Sequence, residues 1–441
     1  MSPQTSSPRR SRNRRGHIPG GMAAVAALGS LALVATAGIV MWGAPTALDG
    51  ADANGVLKSY SAEPAEAWTL DDAVLPNANG EGAVRVAASS DDDWLISYTA
   101  GIKHRYQLVD ARTGNPQWDQ PIDAGFGACA VNDARQIGCA VRTGLDSRDN
   151  GFYLVDRDSG EATRTADGDD TSSLLGFGNK FVHVNQTGYQ VSLRDAAGHT
   201  AWSRTFAGAA KVRAQHGLLI VDTSDDAHFV VDPTDGSDQV SCTQCSIDVF
   251  DGGLAVTNST YAHESVSFYP VTSGKVSAEP AGIAQGMGVV RGPSTFPVIA
   301  PAGPDSLLAT GHYEVVDPAT GDALWQLGDP EVSKANARPC GPILSVARKD
   351  RSRVFFDLAD GTRRGSMAPP ALDQPDANLD AANCVGASTQ TAVFANPNQI
   401  TAIDINSGQQ AWTRSVLGAV EDVDGYLTLR QGSTLTALEP N

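Results

Sequence analysis

A short pattern recurs along the chain at intervals of 38 to 47 residues, and no other feature limits the fold as strongly. An apolar-alternating stretch runs into an acidic residue. A small polar turn with glycine follows, and then often a tryptophan. The clearest copies are YQLVDARTGNPQW (Tyr106–Trp118), YEVVDPATGDALW (Tyr313–Trp325) and ITAIDINSGQQAW (Ile400–Trp412). Weaker copies lie at 152–164, 192–202, 229–240, 268–278 and 354–365. The acidic or equivalent position falls at Asp110, Asp156, Arg194, Asp232, Pro270, Asp317, Asp357 and Asp404. Such a period points to a propeller or a solenoid. Each period also holds two further short strands; KVRA and GLLIVDT, for example, follow Trp202. Four strands per unit is the content of a propeller blade.

The turn chemistry is local. In D-x-x-[TS]-G the carboxylate and hydroxyl bond nearby backbone amides, and glycine accepts a positive φ. Asp110, Gly114 and Trp118 form one such set, as do Asp317, Gly321 and Trp325, and Asp404, Gly408 and Trp412. The tryptophans are expected to wedge between neighbouring blades, burying a large apolar area. They are read as packing residues, not as a platform for stacking sugars.

This motif resembles the PQQ-like repeat of quinoprotein alcohol dehydrogenases and of outer-membrane assembly lipoproteins of the BamB type. The resemblance covers most of residues 64–441. It implies an all-β propeller of about eight four-stranded blades, with seven to nine open. Closure is legible too. The C-terminal GYLTLRQGSTLTALEPN stops where a turn and a tryptophan strand should follow, and an orphan AEAWTLDD stands at Ala65–Asp72. Together they can complete one blade, which removes the exposed sheet edges. Eight internal copies and this closing unit make nine. Eight is commoner in the family, so one degenerate copy is expected to fall short of a blade.

Before the repeats, residues 9–15 read RRSRNRR, and Met22 to Trp42 carries no charge. That length matches a bilayer core of about 30 Å at about 1.5 Å per residue. The arginines precede the helix, which places the N-terminus in the cytoplasm and the body outside it. The expected organisation is a basic cytoplasmic segment (1–21), a transmembrane signal-anchor helix (22–42), a linker (43–63) and an extracytoplasmic propeller (64–441). A cleaved signal peptide, cut near 44–47, is the competing reading. The formal net charge is −18, and beyond residue 50 there are 49 acidic and 27 basic residues. An acidic body argues against nucleic acid as a partner.

Six cysteines in an exported domain suggest disulfides. Cys129 and Cys139 flank a hairpin. Cys242 and Cys245 (CTQC) suit a local staple better than a redox site, lacking a helix N-terminus beside them. Cys340 and Cys384 then pair by elimination, each on the first strand of its own unit, which staples adjacent blades. The quinoprotein resemblance implies PQQ in the central funnel, with Ca²⁺, a catalytic Asp and, in many members, an adjacent-cysteine disulfide. This sequence has no adjacent cysteines, and no Ca²⁺ or catalytic Asp motif matches. Acidic stretches at 91–93, 146–149, 167–170 and 222–226 lack the spacing of a calcium loop and read as solvated turns. The histidines, among them His104, His183 and His216, lack zinc spacing. There is no G-x-S-x-G, and GMGVVRG (286–292) falls short of a phosphate loop. No cofactor is therefore assigned.

The expected function is a non-catalytic binding or scaffolding propeller of the cell envelope, with a protein or peptide partner and a membrane anchor. The alternative is a PQQ-dependent dehydrogenase or a small-ligand sensor using the funnel. Carboxylates or an arginine lining that funnel would favour the alternative.

Overall fold

The computed structural model describes residues 54–441 apart from 77, 79–83, 91, 145–147, 261–262, 303–310, 330 and 372–378. The basic segment, the apolar helix and most of the linker lie outside the described residues. No helix among those described is long and apolar enough to cross a membrane.

The chain forms a β-propeller of nine four-stranded antiparallel blades. In chain order the blades take residues 85–125, 128–167, 171–205, 210–243, 245–285, 287–328, 332–367, 383–415, and finally 419–438 with 66–71. The first strand of each blade is innermost, since first strands of successive blades touch around the ring. The two middle strands carry the core. In blade 1 these are Asp93–Ala100 and Lys103–Asp110, with Trp94, Leu95, Ile96, Leu108 and Val109 buried. The apolar clusters lie between blades: Leu95 and Tyr106 of blade 1 pack with Cys129, Ile137 and Cys139 of blade 2. Each blade is therefore stable only against its neighbours, the defining property of a repeat fold.

Blade 9 closes the ring as the two orphan segments suggested. Glu66–Asp71 is its outermost strand and pairs antiparallel with Thr434–Leu438, with Leu70 opposite Leu435. The count lies at the top of the expected range. The weakest copy, around Pro270, still builds a full blade. Its fourth position is split between Lys275–Val276 and Gly282–Gln285, both paired to His263–Thr272.

The turns follow their chemistry. Asp110 accepts bonds from the Arg112 and Thr113 amides at 3.0 and 2.8 Å and from the Thr113 hydroxyl at 2.9 Å. Gly114 closes the turn at φ +67°, and a Cβ there would lie 2.7 Å from the Trp68 indole. In the equivalent turns Ser159 holds the Asp156 carboxyl below its usual range, and Ser407 does the same for Asp404. Asp317 caps the Ala319 amide at 2.7 Å. In blade 3 the capping acid is Asp195, not the neighbouring Arg194 that the repeat spacing selected. The turn there is one residue shorter, and Asp195 receives the Ala197 and His199 amides.

The tryptophans join blades. Each sits on an outermost strand or, for Trp118, just before one, and four of the five donate the indole N–H to the carbonyl just after the acidic turn residue of the next blade. Trp68 bonds Ala111, Trp118 bonds Arg157, Trp202 bonds Pro233 and Trp325 bonds Leu358, at 2.8 to 3.2 Å. Trp412 faces blade 9, where the chain break leaves no such turn. It donates instead to the Tyr60 carbonyl at 2.8 Å.

That bond revises one boundary. Residues 54–63, expected as linker, are packed on the body. Tyr60 is fully buried, accepting from the Leu427 amide and donating to the Leu438 carbonyl. Tethers read as linkers from low periodicity alone, but this one has its side chains matched to a preformed surface.

All three expected disulfides are present: Cys129–Cys139 across the inner hairpin of blade 2, Cys242–Cys245 between blades 4 and 5, and Cys340–Cys384 between the inner strands of blades 7 and 8.

Candidate functional site

Two faces meet the central axis. The turns between first and second strands and between third and fourth lie on one face. The remaining turns and the blade-to-blade connections lie on the other. Residues 54–58 cross the axis on the first face. The Asn54 side chain meets His216 of blade 4 at 3.0 Å. The Gly55 carbonyl accepts from Ala387 of blade 8 at 2.7 Å, and Leu57 donates back to the same residue at 2.9 Å. Lys58 N–H reaches Gly425 of blade 9 at 2.9 Å. In a ring of nine, blades 4 and 8 stand nearly opposite, so this strap spans the channel mouth. A Cβ on Gly55, at φ +70°, would come within 2.6 Å of Pro293 of blade 6. Glycine thus lets the strap lie flat on the inner hairpins.

Above the strap, strands and turns of blades 4, 5 and 6 line two adjoining cavities of about 290 and 420 Å³. Asp248, on the innermost strand of blade 5, borders both, as do Phe250, Gly292 and Ser294. The smaller cavity abuts Asn54, Arg213 and Gln215; the larger adds Ser246, Thr257, Ser259, Glu264 and Arg291.

Arg213 is committed to structure. It pairs with Asp222 at 3.2 Å, and bonds Gln215 at 3.0 Å and the Ile247 carbonyl at 2.7 Å. Asp222 also takes His228 at 2.6 Å. The other charges are uncommitted. Among the described residues Arg291 and Glu264 have no ion pair, and Asp248 has a hydrogen bond of 3.5 Å from Ser246. Burial raises the Asp248 carboxyl, against the pull of Arg213 and Arg291. The Thr257 hydroxyl is buried without a partner, with the residue 9% exposed. Asp248, Thr257 and Glu264 did not stand out in the sequence, and Arg291 did so only within GMGVVRG, a near miss for a phosphate loop. They come from different strands and turns of blades 4, 5 and 6, with no shared spacing, and meet only when neighbouring blades pack.

A second polar cluster resembles a hydrolytic triad but is not one. The Thr171 hydroxyl lies 2.5 Å from Asp169 and 2.9 Å from His183 Nδ1. It donates to the carboxylate, so His183 must donate to it, which leaves no base to take its proton. The side chains of Asp169 and His183 are 1% exposed. The pair therefore knits blade 3 internally. The acidic stretches read as solvated turns are partly engaged in this way. Asp169 also faces Arg194 at 3.5 Å, Asp222 is paired as above, and Asp93 pairs with Arg157. Such pairings need partners from other strands of the same blade or from the next blade, which turn composition does not reveal. Among the described residues no group of His, Cys, Asp and Glu is set to hold a metal.

No protein-family model matches this sequence, and no curated protein does. Among solved structures the chain is similar to BamB from Moraxella catarrhalis, with 13% identity, 86% of this chain and 98% of that one covered, and a TM-score of 0.44. It is similar to the computationally designed Ika8 protein, at 13% identity, 87% and 99% coverage and a TM-score of 0.41. It is also similar to Hsv2p of Kluyveromyces lactis, at 11% identity, 66% and 96% coverage and a TM-score of 0.30. These likenesses are too distant to carry a functional argument.

Proposed function

We propose that the chain is a membrane-tethered, extracytoplasmic binding propeller of the cell envelope, non-catalytic, presenting one face to a protein or peptide partner. In this reading residues 1–21 are cytoplasmic, 22–42 span the membrane, and the propeller is of the PQQ-like repeat type. The observation that carries it is the placement of exposed apolar side chains. Val74, Ile102, Tyr189 and Leu417 all lie on the face opposite the strap, in blade-to-blade connections or in turns between second and third strands. They are 43 to 77% exposed. Of the seven exposed large apolar side chains among the described residues, these four share that face, while Val56 lies on the strap and Ile283 and Leu324 on outermost strands; an apolar majority on one face suits docking. The strap occupies the other mouth.

The quinone alternative fits less well. A tricarboxylate quinone would meet Asp248 and Glu264, with one uncommitted arginine to offset them, and like charges at close range oppose binding. The small-ligand alternative gains from the same cavity, which has the carboxylates and arginine that it requires.

Photoreactive residues in the full chain test the docking face in cells. Replacement of Ile102 or Tyr189 should capture a discrete envelope protein, and replacement of Asp232 or Asp357 on the strap face should not. Equal capture from both faces would end this reading.

A further inference from the structure

The larger cavity has a charge pattern that no structural need explains. Most buried or half-buried charges in this propeller are matched: Arg353 bonds Asp380 at 2.5 Å, and Arg430 bonds Glu421 at 2.6 Å. The cavity between blades 5 and 6 breaks that rule at two half-buried carboxyls, Asp248 and Glu264, with the exposed Arg291 beside them. Arg291, Asp248 and Glu264 surround about 420 Å³ without an ion pair among the described residues. Half-buried charges left unpaired cost free energy, and evolved sites retain them when a ligand supplies the partner. The Thr257 hydroxyl, buried and unpartnered on the same wall, is a fourth polar group awaiting one. The volume suits a small molecule.

The complement of one cation and two carboxylates is a ligand with one carboxylate and two cations. We infer that this cavity binds a free basic amino acid, such as arginine or lysine. Its α-carboxylate meets Arg291, and its α-ammonium and side-chain cation meet Asp248 and Glu264. An arginine in the protein suits a carboxylate because its planar fork can bond both oxygens. Gly288 also lines the cavity, and a Cβ there would approach Glu264 Oε2 to 3.1 Å, so glycine keeps the carboxylate clear. The docking face is argued from side chains outside this cavity, such as Ile102 and Tyr189, so neither proposal depends on the other.

The test is calorimetric titration of the full-length chain in detergent with L-arginine and with L-lysine. Both should bind at neutral pH. Norleucine, which lacks the side-chain cation, and N-acetyl-lysine, which lacks the α-ammonium, should each bind at least about ten-fold more weakly, the effect of losing one charge-assisted bond. Glu264→Gln, Asp248→Asn and Arg291→Gln should each weaken lysine by a similar factor while the thermal transition of the free protein stays in place. Affinity should also fall as pH drops and the carboxyls take up protons. Absence of heat with either amino acid at millimolar concentration would overturn the inference. So would affinity unchanged in all three variants. N-acetyl-lysine binding as well as lysine would rule out a free amino acid and leave a peptide C-terminus.

Discussion

Blades 1 and 5 are built from the same repeat and have come to differ in what holds them. Blade 1 is gripped on both sides by tryptophan. Trp68 docks on its turn at Gly114, and its own Trp118 docks on the next turn at Gly160. Blade 5 has no tryptophan at either joint. On one side Gln239 bonds Val276 at 2.6 Å and reaches the Gly274 carbonyl at 3.4 Å. On the other, Phe268 packs on Gly321. Its outermost strand is split, and its innermost strand borders both cavities. The structural signature is weakest where the uncommitted charges gather. A ring needs most of its joints to be strong, and one arc is free to be shaped for binding.

The largest expected effect breaks the strong side. Trp118→Ala should cost about 3–5 kcal/mol in chemical denaturation, since it empties a joint between two packed sheets. If Gln239→Ala costs as much, the contrast between the arcs is lost.

The disulfides sharpen the same comparison. Cys340 and Cys384 are 44 residues apart and tie two blades; Cys242 and Cys245 are 3 apart, beside blade 5. Loop-closure entropy gives about 4 kcal/mol for the first and about 2 for the second. Paired serine replacements, compared by urea denaturation under non-reducing conditions, should preserve that order.

Next comes Asp422 in blade 9, whose carboxyl burial raises to about 6. A carboxyl raised on folding contributes stability below its unfolded value near 3.8, and this is lost as pH rises through about 6. Asp422→Asn keeps an acceptor for the Gly425 amide and should therefore stabilise the protein at pH 7, by on the order of 1–3 kcal/mol. The gain should vanish at pH 3.5, as read from melting curves at the two pH values.

The smallest effect is Gln239→Ala itself, at about 1 kcal/mol, the net worth of an ordinary hydrogen bond. Denaturation midpoints compared with those of Trp118→Ala give the ratio of the two joints directly.

Much of this architecture was open to reading, for a physical reason. Asp110, Thr113 and Gly114 shape a turn by contacts within five residues, so their spacing records the fold wherever it recurs. The joint tryptophans were legible because they hold a fixed place after that turn. The capping acid of blade 3 was misplaced by one residue because its turn is shorter. The cavity was illegible because Arg213, Asp248, Glu264 and Arg291 share no local pattern.

By itself, then, the sequence determined the repeat, the four-stranded blade, the closing of the ring by its two ends and the partners of all six cysteines. Each of these rests on chemistry between near neighbours or on strands whose edges must be covered, except the Cys340–Cys384 pair, which followed by elimination from the other two. Tertiary structure alone decided that the ring takes nine blades, that residues 54–60 strap its mouth, and which charges gather in the cavity between blades 5 and 6. Those outcomes depend on how far each blade turns from the last, a sum over the whole ring that no single repeat contains.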